Sequence, residues 1–234
     1  AFGTGAIAAL STGAVRGLTS VAARGLSSDQ IAALTTDQMV AMTSVQLSGL
    51  STVGIVGMET VDIAVLSSAQ VVSFGSLQMK AFSSEQIGAI GTQVVGSLTT
   101  GQIRSISTEG LAGLSTRQIA QIKSVQIGGF TSSQLGAFGT EQVIGFSTTA
   151  LRSLSSQQLR GLRSDQASAL TTEQAVALSS SQFVGFSTEA LSGFETEDIA
   201  VFTSAQVIGF GTREVGAFGT GAIAALSTGA VRGL

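Results

Sequence analysis

An apolar residue recurs at every eighth position of this chain, from Phe2 to Leu234, and no insertion or deletion breaks the count. Cutting at those positions gives 29 complete octads, among them LSSDQIAA (26–33), LTTDQMVA (34–41), LSTRQIAQ (114–121) and FSTEALSG (186–193). A short fixed period means one small unit repeated along an axis, each copy burying its apolar side against its neighbours. Residues 1–18 and 217–234 are identical, so a 216-residue macro-repeat overlies the octad period. Together these features predict a single continuous array over 1–234, a window on a longer chain. That points to a filament or stalk rather than an enzyme.

Numbering each octad from its apolar residue, position 1 is Leu, Phe, Ile or Met, and position 6 is mostly Ile, Val or Leu. Position 3 is Ser or Thr in all 29 octads, position 2 is Ser or Thr in 19, and position 5 is Gln in 16. Position 8 is small almost throughout. Ser/Thr at position 2 with Gln at position 5 has the spacing of a helix-starting capping box, and positions 1 and 6 then form a hydrophobic staple. Ser27 with Gln30, Thr35, and Ser115 with Gln118 are candidate caps of this kind. The hydroxyl at position 3, such as Thr116, is the alternative cap, which shifts the helix start by one residue. The candidate core comprises Leu26, Ile31, Leu34, Leu114, Ile119, Phe186 and Leu191. All 14 acids lie at positions 2, 4 or 5 and seven of the 11 bases at position 7, the polarity a helix dipole favours.

One uninterrupted helix does not fit this pattern. Eight residues make about 2.2 turns, so the apolar row would rotate roughly 80° per octad and wind into water. The expectation is a helix of about five to six residues, a kink, and the same again. Ordering eight residues costs on the order of 12 kcal/mol, whereas burying two anchors and some alanine returns roughly 9 kcal/mol. Contacts between coils must supply the difference. Small residues at position 8 and hydroxyls at position 3 are placed for close backbone approach and hydrogen bonds there. Gly at position 2 in octads 1, 10, 18 and 27, a spacing interrupted by Gly91 and Gly219, suggests a superhelix of about nine octads per turn. The predicted fold class is therefore all-α, a solenoid of very short helices with one per octad.

The alternative is a β-solenoid, with Gln and Ser/Thr forming ladders between coils. Against it, positions 1 and 6 have opposite parity, so a flat strand sends the two best apolar columns to opposite faces. The charge polarity within each octad would also lack a cause.

Catalysis has little to work with. Without His there is no imidazole base, and serines recurring at structural places do not make a singular site. Without His or Cys the usual zinc, copper and haem ligands are missing, and no metal or other cofactor is expected. Acid pairs such as Asp29/Asp37, Asp165/Glu173 or Glu189/Glu197 read as solvated helix starts rather than calcium ligands. A net charge of −3 argues against a nucleic-acid partner. No stretch approaches the ~18 apolar residues of a membrane span. The expected partner is more of the same array, by continuation or self-association, and no small-molecule ligand is expected.

The consensus L-[ST]-[ST]-x-Q-[IV]-x-A, clearest in LSTRQIAQI (114–122) and LTTDQMVAM (34–42), resembles the octapeptide tandem-repeat arrays of very large secreted, adhesin-like bacterial proteins. The resemblance implies an extracellular or cell-surface location and a structural role: filament, sheath fibre or adhesin stalk, with no catalysis. The alternative is a repeat-built binding module, presenting variable positions 4 and 7 to a glycan, ion, ice or protein partner.

Overall fold

A computed structural model describes residues 3–234; the anchor at Phe2 lies outside them. The described residues hold 29 α-helices and no strand, numbered α1 to α29 in chain order with one per octad. The β-solenoid is thereby set aside. Helices are four to six residues long, some a residue shorter than the sequence suggests. None is long and apolar enough to cross a membrane.

Every helix begins at position 3 of its octad. Position 2 is extended, as in Ser27 (φ −75°, ψ 167°), and it is the N-cap. Position 1 is also extended where the helix runs its full length, as at Met42 (φ −62°, ψ 135°). The kink is therefore made of ordinary extended backbone; no described residue has a positive φ, and no cis peptide occurs among them. Position 8 is small in most octads for another reason, which lies between coils; Val65, Gln121 and Val201 are the exceptions.

The chain forms two compact units, residues 1–121 and 122–234. Within each, a helix packs on the third helix along. In the first unit α4 (Ser28–Ala32), α7 (Thr52–Val56), α10 (Ser76–Ala81) and α13 (Thr100–Ser105) form one such stack. In the second, α19 (Thr148–Arg152), α22 (Thr172–Ala177), α25 (Thr196–Ala200) and α28 (Thr220–Ala225) form another. Hydrogen bonds between coils join residues 25 to 31 apart. One turn thus takes more than three octads and fewer than four, not the nine suggested by the glycine spacing. Nine was wrong because glycine at position 2 only replaces a cap and has no part in coil closure.

Positions 1 and 6 fill the interior of each unit. Leu26, Ile31, Leu34, Leu114, Ile119, Phe186 and Leu191 are all buried. The phenylalanines meet mostly edge to face, the favoured geometry of ring quadrupoles: Phe74 with Phe82 at 5.2 Å, and Phe130, Phe138 and Phe146 as a triad at 5.5 to 6.0 Å. Position 4 is exposed in every octad.

Candidate functional site

The feature that recurs with the most polar chemistry is the join between coils, centred on position 5. A short helix leaves its first N–H groups and last carbonyls without partners inside the helix. Gln at position 5 serves both kinds of group at once. In α6 (Ser44–Gly49), the Thr43 hydroxyl accepts from the Gln46 N–H at 3.3 Å, and Gln46 Oε1 accepts from the Thr43 N–H at 2.7 Å. Its Nε2 then donates to the carbonyls of Val15 (2.8 Å) and Leu18 (2.6 Å), 31 and 28 residues back. Val15 is on α2 (Thr12–Arg16), the fourth helix back, and Leu18 is the anchor that follows it, so the amide bonds between α2 and the stacked α3 (Ser20–Arg24). One amide closes the start of its own helix and the end of another.

The arrangement repeats in both units. Gln86 donates to Ile55 and Met58, and Gln102 to Val71 and Phe74. Gln166 donates to Leu135 and Phe138, and Gln182 to Leu151 and Leu154. Most of these glutamines are buried, Gln166 completely. A buried amide that meets its donors and acceptors costs nothing extra, whereas one left open costs about 1–3 kcal/mol. Gln46→Glu is therefore expected to destabilise the first unit by about 2 kcal/mol near neutral pH, since a carboxylate cannot donate to Val15 and Leu18. Urea denaturation followed by circular dichroism measures it; an unchanged midpoint would remove the join from the account of stability.

Close packing lets the amide reach. A Cβ built on Gly49, at position 8, would stand 2.8 Å from the Ser20 carbonyl oxygen. Gly113 lies tighter still against the Ser84 carbonyl, and Gly161 against that of Ser132. Position-3 hydroxyls add links: Ser44 Oγ donates to the Ala69 carbonyl at 3.0 Å and Ser124 Oγ to that of Thr149 at 3.2 Å. Two position-7 arginines do likewise, Arg16 to the Ala41 carbonyl and Arg152 to that of Ala177.

Of the residues singled out from sequence, Ser27 with Gln30, Thr35 with Gln38, and Ser115 with Gln118 form complete capping boxes. Thr116 is not a cap but the first helical residue, because Gln118 lies at the correct reach only from Ser115. The acid pairs Asp29/Asp37, Asp165/Glu173 and Glu189/Glu197 sit on consecutive helices, whereas stacking joins third neighbours. Among the described residues no group of three or more His, Cys, Asp or Glu could hold a metal ion.

Sequence reasoning missed three acids. Asp62, Asp198 and Glu214 occupy position 5, and instead of being solvated helix starts they are buried, 1%, 4% and 4% exposed. The signal was present in their position: they stand where glutamine faces the coil beneath. For Glu214, burial pushes the carboxyl up. The Gly211 N–H at 2.9 Å and the Arg213 guanidinium at 2.5 Å outweigh this, holding it below the ordinary range. Arg213 also donates to the Phe186 and Val184 carbonyls, both at 2.8 Å, doing what a glutamine amide would.

A comparison with curated proteins finds no match. The ALTTAQ repeat family matches residues 1–36, 24–52, 55–92, 144–172 and 191–228, together more than half of the chain. Ala33–Gln38 reads ALTTDQ and Ala169–Gln174 reads ALTTEQ, each one residue from that name and each ending on a glutamine of the join. With the octad-by-octad architecture beside those matches, the chain belongs to the ALTTAQ repeat family, a family of tandem-repeat arrays.

Proposed function

We propose that this chain is a stretch of an extracellular or cell-surface structural array, a filament, sheath fibre or adhesin stalk, without catalysis. The observation that carries this reading is the recurrence of the same join in both units. A scaffold needs many equal connections along its length, while an enzyme needs one place unlike the rest. Self-association or continuation of the array supplies the partner. Cryo-electron microscopy of native material, with antibody labelling of intact cells, tests it. A uniform thread at the cell surface is the expected result; discrete single-chain particles, or labelling only after lysis, would overturn it.

A second reading, a protein-binding module, draws on one observation. In the first unit position 4 carries Val21, Val45, Val53, Val61 and Leu77, exposed by 77, 68, 59, 59 and 75%. Side chains this apolar are unusual on a fully wetted face. Serine at these positions leaves thread formation unchanged if they serve a separate partner, and removes that partner from cross-linked material.

A further inference from the structure

Asp62 and Asp198 stand at corresponding places in METVDIAV (58–65) and FETEDIAV (194–201), one in each unit. Asp62 lies on α8 (Thr60–Ala64), which packs on α5 (Thr36–Ala41) and α11 (Ser84–Ala89). Its Oδ1 accepts from the Thr36 hydroxyl at 2.9 Å. Its Oδ2 is buried and has no hydrogen-bond partner. At this position a glutamine would turn its Nε2 to the carbonyls 28 and 31 residues back, here Leu34 and Ile31. A carboxylate has no hydrogen to offer them.

The rest of the chain shows how the join is kept when glutamine is replaced by an acid. Beside Glu214, Arg213 brings a guanidinium to the carbonyls beneath. Neither aspartate has such help. The charged residues on the helices next to Asp62 are Asp37 on α5, Glu85 on α11 and Asp29 on α4, with Glu59 at the cap of α8, all of them acids. On the helices packed against α25 the charged residue is Glu173 on α22, with none on α28. The octad of Asp198 itself carries Glu195 and Glu197, and on α21 (Ser164–Ser168) Arg163 at the cap is engaged by Asp165 and by the Gly136 and Phe138 carbonyls. A proton is the one donor that remains.

The geometry points to Asp62 and Asp198 as proton-binding joins, neutral and closed in mild acid, charged and loosened as the pH rises to neutrality. A neutral carboxyl keeps Oδ1 as acceptor for Thr36 and makes Oδ2–H a donor toward the coil beneath, the two faculties that glutamine combines. Burial, above all, raises both carboxyls above the ordinary 3.8; the Thr36 hydroxyl lowers Asp62 in part and Glu59 raises it again. For Asp198 the Thr172 hydroxyl and the Glu195 N–H lower it, and the Glu195 and Glu197 carboxylates raise it. The sign follows from linkage. A carboxyl held higher in the folded chain contributes stability that is complete below 3.8. That contribution is lost as the pH climbs through the raised folded value. Carboxyls held low, such as Glu85 and Glu109, pull the other way, so the net profile of the wild-type chain does not isolate the effect.

The test compares the 234-residue chain with the double variant Asp62→Asn, Asp198→Asn by urea denaturation at about pH 4 and about pH 7. Asparagine keeps one acceptor and supplies a donor that never titrates. The two proteins should unfold together in acid, and the variant should be the more resistant at neutrality. For each join the folding constants should part about tenfold per pH unit between the unfolded and folded titration points. A constant gap at both pH values, or a wild type more resistant at neutrality, overturns the proposal. Carbon-13 carboxyl titration of the wild-type chain decides independently if the variant folds poorly. Asp62 and Asp198 titrating above 3.8 support the joins, and titration at or below it refutes them.

Discussion

Ile119→Asp is expected to unfold the coils around residue 119, whereas Ala120→Asp, one residue along, leaves them standing. Ile119 is fully buried at position 6, while Ala120 is exposed at position 7. Removing a buried isoleucine side chain costs roughly 2–5 kcal/mol. A charge placed there without a partner adds several kcal/mol, or protonates and adds a buried hydroxyl with nothing to bond. Octads that are individually too short to hold a helix depend on the neighbouring coils, so the damage spreads to the helices stacked on residues 116–119. Far-ultraviolet circular dichroism and hydrogen exchange over the first unit read it directly. Equal effects at the two positions would refute position 6 as the core row.

Gly113→Ala and Gly101→Ala are expected to move stability in opposite directions. At Gly113 the new methyl group collides with the Ser84 carbonyl, and the obstacle is backbone that cannot swing aside. The coils must separate there, costing about 1–3 kcal/mol. Gly101, unlike Gly113, lies within a helix, α13, and its Cβ would meet nothing nearer than the Thr99 hydroxyl at 3.9 Å. Alanine there removes the entropy penalty of helical glycine and gains roughly 0.5–1 kcal/mol. Urea midpoints of the two single variants decide the matter. If both stabilise the chain, the close approach between position 8 and the coil beneath does not limit packing.

These outcomes depend on layers of the structure that are unequally visible in the sequence. The helix starts were legible, because Ser27 and Gln30, or Ser115 and Gln118, interact over three residues. The core rows were legible too, since hydroxyls at positions 2 and 3 frame position 1, and position 6 completes the staple. The choice between Ser115 and Thr116 as cap was not, because both are hydroxyls and only the reach of Gln118 separates them. The second task of glutamine was hidden for a different reason. Its acceptors are main-chain carbonyls such as those of Val15 and Leu18, which every residue type carries, so nothing in the sequence marks them. The number of octads per turn was hidden with it, being set by which coil the amide reaches. Asp62 and Asp198 looked like all the other early acids until that reach was known.

Main-chain recognition has a bearing on how such chains change over generations. An amide that bonds carbonyls accepts any octad as the layer beneath it, whatever the side chains there. Unequal recombination that adds or drops eight residues therefore delivers every glutamine to an equivalent carbonyl, merely in a different neighbour. A shift of four residues would instead bring position 1 to where position 5 belongs and leave the amides facing nothing. A change of length in steps of eight keeps each amide over a carbonyl, whereas a change out of frame takes the carbonyls from every amide above it.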